Sequence, residues 1–354
     1  MLHKTTGLAD FGFQFLGPIC SEYMHSLRDC ILENPDSPIV FLAREGYFLK
    51  EIYEELTENQ LIDNQESVYL LASRTFLFRI CIADPFSWEY SCKHKFDGTI
   101  DALMSARFGF PHAVTKTIFS NDVLNKTISL PDDYAHLTTI FYKHLDVLNS
   151  AVATSRGNYR DYIGSLNVLS GGAPIFVDVG YSGTIQKLLT RLIGKNTLGL
   201  YFITTKQGEY SIGKSKATMT PVFKNDVQMG DGYPMLDRSL FLESLLTSPD
   251  GQFLDIHKLC NPLLKNEAFK PVYGRVSYAQ ANSEELSAVF GGVKAAVSHY
   301  FRTGVRFSRT DIETLYETFT SSPHMIPCAM RPLFDVDDAI SGNKNVNPLQ
   351  LFGI

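Results

Sequence analysis

The sequence lacks most features that assign a chain quickly to a functional class. Six cysteines are scattered over 354 residues without a C-x-x-C pair, which argues against a disulfide framework or a zinc site. No apolar run approaches the roughly 18 residues of a membrane span, and the N-terminus has no signal-peptide pattern. The formal net charge of −6 argues against a dedicated nucleic-acid-binding protein. These absences predict a cytoplasmic globular protein.

Four short apolar runs predict the strands of a buried parallel sheet. They span residues 39–43, 68–72, 175–179 and 198–204, and each is apolar on both faces. Amphipathic helical patterns with i, i+3, i+4 spacing follow the first and the third run. Because strand, helix and strand follow each other twice, we predict an α/β fold with an open, mainly parallel, Rossmann-like sheet.

The remaining segments predict how the chain is divided. Residues 1–74 and 171–260 are interpreted as the two halves of the α/β core. Residues 75–170 are too long for a simple crossover and predict a helical insertion, and residues 261–354 predict a helical C-terminal region. The polar stretch "KQGEYSIGKSKATMT" is typical of a loop, and the tail from Asn343 is expected to be loose.

Two strand–helix junctions have the composition of ligand-binding loops. The first is "FLAREGYF", which contains Arg44, Glu45 and Gly46, and the second is "FVDVGYSGTIQ", where Asp178 ends the strand. Ligands of open α/β sheets bind at such junctions, and free amides at a helix start attract phosphate. Gly183 permits close approach of a ligand, and the hydroxyl groups of Ser182 and Thr184 add hydrogen-bond donors. The second loop therefore predicts a phosphate beside a sugar, although ordinary helix caps have a similar composition.

Two further observations refine this prediction. Arg74 directly follows the second predicted strand, where a cationic side chain could bind pyrophosphate or a sugar phosphate, or form a surface ion pair. Gly180 stands two residues after Asp178, where phosphatases of the haloacid dehalogenase type have a second acid. Without that general acid, the loop does not support phosphatase chemistry of this type.

The stretch "IFVDVGYSGTIQ" resembles the phosphoribosyl pyrophosphate (PRPP) motif of type I phosphoribosyltransferases. In that family the loop holds the 5-phosphate and the acidic residues hold the ribose hydroxyls. "IVFLAREGYFLKEIY" occupies the place of the family's pyrophosphate loop. The resemblance implies a phosphoribosyltransferase-like fold, and it assigns substrate binding to the following residues: Arg44, Gly46, Arg74, Gly180, Tyr181, Ser182, Gly183 and Thr184.

A broader resemblance covers most of the chain. The stretches "LGPICSEYMHSLRD", "FLAREGYFLKEIYEEL", "YLLASR", "FVDVGYSGTIQ" and "ESLLTSPDGQF" occur in this order. Together they resemble a module of bacterial capsule and O-antigen assembly proteins, often found beside a phosphatase or glycosyltransferase domain. The resemblance implies transfer of ribose 5-phosphate from PRPP to a glycan hydroxyl, with inversion and with Mg²⁺ as cofactor. It also implies a cytoplasmic location, with peripheral attachment at the inner membrane as a further expectation.

The resemblance leaves the acid–base roles open. Asp178 is the expected contact for ribose and for the metal ion, and the general base is either Glu45 or Glu243. Asp231 and Asp237 are weaker candidates from the same late segment as Glu243. Three hypotheses follow: a PRPP-dependent transferase, a transferase or phosphohydrolase acting on a nucleotide sugar, and a non-catalytic scaffold module.

Overall fold

The computed structural model describes residues 2–259, 268–338 and 344–354. Its strands are β1 (Ile39–Leu42), β2 (Ser67–Leu70), β3 (Phe96–Thr99), β4 (Thr127–Leu130), β5 (Ile175–Asp178), β6 (Thr197–Ile203), β7 (Gly208–Ile212), β8 (Ser215–Lys224), β9 (Phe253–Leu259), β10 (Ala268–Tyr273), β11 (Val336–Asp338) and β12 (Lys344–Val346).

The helices enclose these strands. They are α1 (Leu2–Phe11), α2 (Gly17–Glu33), α3 (Gly46–Glu58), α4 (Arg74–Ile80), α5 (Pro85–Ser91), α6 (Ile100–Phe108), α7 (His112–Ile118), α8 (Asn121–Leu124), α9 (Tyr134–Lys143), α10 (Leu145–Ser165), α11 (Thr184–Ile193), α12 (Pro234–Asp237), α13 (Leu240–Leu245), α14 (Tyr278–Ala281), α15 (Ser283–Thr303), α16 (Arg309–Ser321) and α17 (Pro348–Phe352). A π-helical segment, Gly12–Leu16, joins α1 to α2.

The central sheet has six strands in the order β2-β1-β5-β6-β8-β7. Neighbouring strands from β2 to β8 are parallel, and β7 is antiparallel to β8 at the edge. The predicted α/β fold with an open, mainly parallel sheet is therefore confirmed. From β1 the chain proceeds to β2 on one side, whereas β5, β6 and β8 lie on the other side. The strand order thus reverses between β1 and β5, which opens a crevice at their carboxyl ends.

Alternating strand residues bury the sheet in two hydrophobic layers. Phe41 and Val177 point into a layer that includes α2, α3 and α15. Leu42 and Phe176 point into the opposite layer, which includes α4, α10 and α11. Because side chains alternate along a strand, both faces need cover, and this explains the continuous apolar runs in the sequence.

Two expectations about the connecting segments, the polar loop and the loose tail, are corrected, while the helical insertion and C-terminal region gain short strands. The stretch predicted as a polar loop forms β7 and most of β8, because its small and hydroxyl-bearing residues alternate in burial along β8. The insertion contains the antiparallel strand pair β3–β4 besides its helices. The C-terminal region also contains strands β10, β11 and β12, and its last residues form α17. The tail is therefore ordered from residue 344 onward, while Asn343 lies outside the described residues.

The structure also describes two features raised by the sequence, the membrane-spanning potential of its helices and the state of its cysteines. Within the described ranges, no helix is both long and apolar enough to cross a membrane. Cys20, Cys30, Cys81, Cys92 and Cys328 are free thiols, and Cys260 lies outside the described residues.

Helices α1 and α15 approach each other closely because glycine lies at their contact. A Cβ added to Gly292 of α15 would overlap the carbonyl oxygen of Ala9 in α1. The adjacent Gly291 is exposed, and a Cβ added there would meet no described atom within 4 Å. Substituting each glycine in turn therefore distinguishes the effect of helix packing on stability, at Gly292, from that of helix propensity, at Gly291.

We expect the substitutions Gly292→Ala and Gly291→Ala to have opposite effects on stability. Gly292→Ala should lower the free energy of unfolding by about 1–3 kcal/mol, because the methyl group forces the helices apart. Gly291→Ala should raise it by up to about 1 kcal/mol, because alanine is the better helix former. Urea denaturation of both variants measures the difference. Equal stability of the two would show that α1 does not approach α15 this closely.

Candidate functional site

A cavity of about 220 Å³ lies at the carboxyl ends of β1, β2 and β5, where the strand order reverses. Three strand–helix turns contribute polar residues to its wall, and α6, α13 and β9 complete it. Seven of the residues predicted from the sequence line this cavity: Arg44, Glu45, Arg74, Asp178, Gly180, Tyr181 and Glu243. Gly46, Ser182, Gly183 and Thr184 are not among the lining residues.

The turn between β1 and α3 brings Arg44 and Glu45 to the cavity. The backbone N–H of Arg44 donates to Oε2 of Glu45 at 3.0 Å, and a cis peptide bond joins Ala43 to Arg44. Gly46 begins α3 behind this turn, and an added Cβ would lie 2.8 Å from the carbonyl carbon of Phe41. Gly46 therefore allows α3 to pack directly on β1, which is a packing role at the base of the site.

Asp178 ends β5 and lies at the bottom of the cavity, with 8% of its surface exposed. Its Oδ1 accepts a hydrogen bond from the N–H of Val179 at 2.8 Å. Burial raises the pKa of Asp178 well above its usual value, and the nearby carboxylate of Glu45 raises it further. The amide of Val179 and the charge of Arg74 act in the opposite direction. In the free protein the Asp178 carboxyl is therefore costly to ionise.

The loop of residues 179–183, between β5 and α11, continues from Asp178. A cis peptide bond joins Gly180 to Tyr181. Gly183 adopts φ 63°, a left-handed conformation that favours glycine, and an added Cβ would meet the side chain of Met219 on β8. Ser182 is exposed, and its hydroxyl lies 2.9 Å from that of Thr184. These hydroxyl groups therefore lie at the start of α11, beside the cavity wall.

Arg74 is presented by a capped helix start. The hydroxyl of Ser73 accepts from the N–H of Phe76 at 3.1 Å, which caps α4, and it donates to the carbonyl oxygen of Phe253 at 2.6 Å. Arg74 follows as the first residue of α4 and is exposed. Among the described residues, the guanidinium groups of Arg44 and Arg74 have no hydrogen-bond or ion-pair partner, so both are available to an anion.

Glu243 reaches the cavity from α13 and is paired with a tyrosine. The hydroxyl of Tyr181 donates to Oε1 of Glu243 at 3.3 Å. The pKa of Glu243 is raised, mainly by burial and then by the charge of Glu45, while Arg74 and Tyr181 partly offset the shift. Glu45, Asp178 and Glu243 thus form a group of three carboxyl groups that influence each other across one cavity.

The two weaker acidic candidates have structural roles in their own loop. Oδ1 and Oδ2 of Asp237 accept from the amides of Gly230 and Gly232, at 2.6 and 2.8 Å. Oδ2 of Asp231 accepts from the N–H of Gln228 at 2.7 Å. Neither residue lines the cavity.

Arg107 is a lining residue that the sequence reasoning missed. It comes from α6 of the insertion, and its guanidinium group donates to the carbonyl oxygens of Ser91 and Lys95, at 2.9 and 3.2 Å. Burial lowers its pKa, and the charge of Arg74 lowers it further. The residue follows a helical pattern without a neighbouring motif, so no local signal could have linked it to the sheet edge.

Comparisons with known proteins do not add a relative. No protein-family model matches the chain, and no curated protein matches it either. The cavity must therefore be interpreted from its own geometry.

We expect Asp178→Asn to stabilise the free protein above about pH 4. The folded chain holds the Asp178 proton to a higher pH than the unfolded chain, so ionisation costs stability as the pH rises from the usual aspartate pKa of about 4. Asparagine keeps the oxygen that accepts from Val179 but removes this cost. The difference in melting temperature between variant and wild type should therefore grow between pH 4 and pH 8.

Circular dichroism melting curves across this pH range measure the effect. The control is Asp132→Asn, because Asp132 is exposed and lies away from the cavity. A melting-temperature difference for Asp178→Asn that stays constant with pH would contradict the expected shift.

Proposed function

We propose that the chain transfers ribose 5-phosphate from PRPP to a hydroxyl group of a glycan. The observation that carries the proposal is the charge pattern of the cavity at the strand-order reversal. Arg44 and Arg74 present unpaired guanidinium groups there, and Asp178, Glu45 and Glu243 present carboxyl groups. PRPP combines phosphates with sugar hydroxyls, so it requires both kinds of group in one site.

The donor would be bound through its opposite ends. Arg44 and Arg74 would contact the pyrophosphate, because guanidinium groups bind phosphate oxygens with charge-assisted hydrogen bonds. Asp178 would accept hydrogen bonds from the ribose hydroxyls. The 5-phosphate would lie against the start of α11, near the hydroxyl groups of Ser182 and Thr184.

Glu243 is the better candidate for the general base. Its raised pKa brings the carboxylate closer to the working pH, where a base is most effective. The proton of the acceptor hydroxyl would move to Glu243 while the oxygen forms a bond to C1 of the ribose. The bond between C1 and the pyrophosphate oxygen would break, and pyrophosphate would leave. Since PRPP has the α configuration at C1, displacement from the opposite face gives a β-ribofuranoside 5-phosphate.

The donor set fits a divalent cation that takes most of its ligands from the substrate. Within the described residues, no group of three or more His, Cys, Asp or Glu side chains forms a metal site. Glu45 and Asp178 offer carboxylate oxygens whose mutual repulsion a cation would relieve. Mg²⁺ commonly keeps water and phosphate oxygens and uses one or two carboxylates. When bound, it would supply positive charge to the pyrophosphate as that group leaves.

The acceptor, partner enzymes and location are part of the proposed function. The acceptor would be a glycan of bacterial surface polysaccharide synthesis, such as capsule or O-antigen. A phosphatase of the haloacid dehalogenase type would remove the 5-phosphate, and further glycosyltransferase domains would act on the same glycan. The reaction would take place in the cytoplasm, with the protein at the inner membrane surface.

We expect PRPP to bind the wild-type protein with micromolar affinity and only when Mg²⁺ is present. Arg44→Gln and Arg74→Gln should each weaken binding roughly 10- to 100-fold, because each removes a charge-assisted hydrogen bond to the pyrophosphate. Asp178→Asn should abolish the Mg²⁺-dependent binding, because it removes the carboxylate proposed to hold the ribose hydroxyls and the metal ion. Isothermal titration calorimetry with and without Mg²⁺ measures all of these effects.

Arg28→Gln is the matched control. Arg28 forms an ion pair with the neighbouring Asp29 and does not line the cavity, so this variant should bind PRPP like the wild type. Absence of PRPP binding by a folded sample would overturn the proposal. Binding of a nucleotide sugar would then support the second hypothesis, and absence of any small ligand would support a scaffold role.

We expect Glu243→Gln to retain PRPP binding and to lose turnover. Removing a general base commonly slows the chemical step by about 10²- to 10⁴-fold, and glutamine preserves the shape of the side chain. Release of pyrophosphate, measured over a panel of glycan acceptors, reports turnover. Turnover at the wild-type rate would exclude Glu243 and leave Glu45 as the candidate base.

A further inference from the structure

The loop of residues 179–183 is held by the strands beside it. The N–H of Phe202 donates to the carbonyl oxygen of Val179 at 3.1 Å, and the N–H of Thr205 donates to that of Tyr181 at 3.0 Å. Met219 of β8 lies against Gly183. The loop therefore depends on β6, which was predicted, and on the β7–β8 hairpin, which was not.

Lys187 links this hairpin to the loop. It lies one turn into α11, and only 7% of its surface is exposed. Its Nζ donates to the carbonyl oxygen of Ser182 at 2.9 Å. The same ammonium group lies 3.8 Å from the ring centroid of Tyr210 on β7 and 5.7 Å from that of Tyr90 on α5. Such contacts between a cation and aromatic rings stabilise the charged form.

We infer that Lys187 is a positioning residue, which holds the carbonyl oxygen of Ser182 and thereby fixes the loop of residues 179–183 against the β7–β8 hairpin. The loop carries Gly180 and Tyr181 into the cavity wall, so its position determines where Tyr181 meets Glu243. The consequence for PRPP rests on the function proposed above, whereas the effect on the loop does not.

The contact depends on the charge of Lys187. Burial lowers the pKa of Lys187 to about 8, and the nearby Lys206 lowers it further, while Glu89 acts in the opposite direction. The aromatic neighbours stay neutral in this range, because burial raises the pKa values of Tyr90 and Tyr210. Loss of the Lys187 proton above about pH 8 therefore weakens the hold on Ser182.

Amide hydrogen exchange, measured by mass spectrometry on residues 179–184, tests the inference without a ligand. At about pH 7, Lys187→Met should exchange roughly tenfold faster than the wild type, because one charge-assisted hydrogen bond is lost. After correction for intrinsic rates, the wild-type loop should lose this protection between about pH 7 and pH 9, whereas the variant should not change. The wild-type profile needs no substitution, so it applies even if Lys187→Met folds poorly.

Lys195→Met is the matched control. Nζ of Lys195 also donates to loop carbonyl oxygens, those of Leu169 and Gly171, both at 2.9 Å, but this loop precedes β5 at the other end of the sheet. Lys195→Met should therefore leave exchange of residues 179–184 at the wild-type rate.

Two results would overturn the inference: equal exchange of this loop in Lys187→Met and wild type at both pH values, or equal acceleration by Lys195→Met. PRPP titration then separates the two proposals. If Lys187→Met accelerates exchange but the wild type does not bind PRPP, the positioning role of Lys187 is supported and PRPP is excluded as the donor. If PRPP binds, its affinity for Lys187→Met should be roughly tenfold weaker.

Discussion

Burial of the parallel sheet between two hydrophobic layers is the constraint on which the site depends. The chain must cover both faces of β1 and β5, so α3 packs on one face and α11 on the other. Helices that leave in opposite directions open a crevice between the two strand ends. The turns after these strands line this crevice, and α6, α13 and β9 complete its wall. The cavity is thus a consequence of how the sheet is buried, and its polar residues are those that the turns carry.

The charges in this cavity are only partly compensated by the protein itself. Three carboxyl groups share the space, and burial together with Glu45 raises the pKa values of Asp178 and Glu243. Two guanidinium groups face the same space without a described partner. Folded proteins seldom bury carboxyl groups in this way without a functional reason, because desolvation without compensation is costly. A ligand with anionic groups, sugar hydroxyls and a bound cation would pair with the guanidinium groups and with the carboxyl groups at once. This supports a sugar phosphate donor.

The polar turns were easier to predict than the parts that support them. Asp178, Arg44 and Arg74 follow apolar strands directly, and the carboxyl ends of parallel strands share one edge, so their proximity follows from the sheet type alone. Glu243 and Arg107 reach the same cavity from α13 and α6, which are distant in sequence. Long-range packing places them; Glu243 was named from the sequence as a candidate base, whereas Arg107 had no local signal. The roles of Gly46 and Gly183 also emerge from contacts, with Phe41 and Met219 respectively.

The order of apolar strands and amphipathic helices in the sequence was sufficient for the fold class, because burial on both faces demands a recognisable residue pattern. It was also sufficient for two of the three turns that line the cavity. The β7–β8 hairpin escaped prediction because its strands are rich in hydroxyl-bearing and charged residues and lie at the sheet edge. The contacts of Lys187 with Tyr90 and Tyr210 and the pairing of Tyr181 with Glu243 join segments up to 97 residues apart. Such contacts depend on how the elements pack in three dimensions, since no short sequence pattern specifies distances between separate segments.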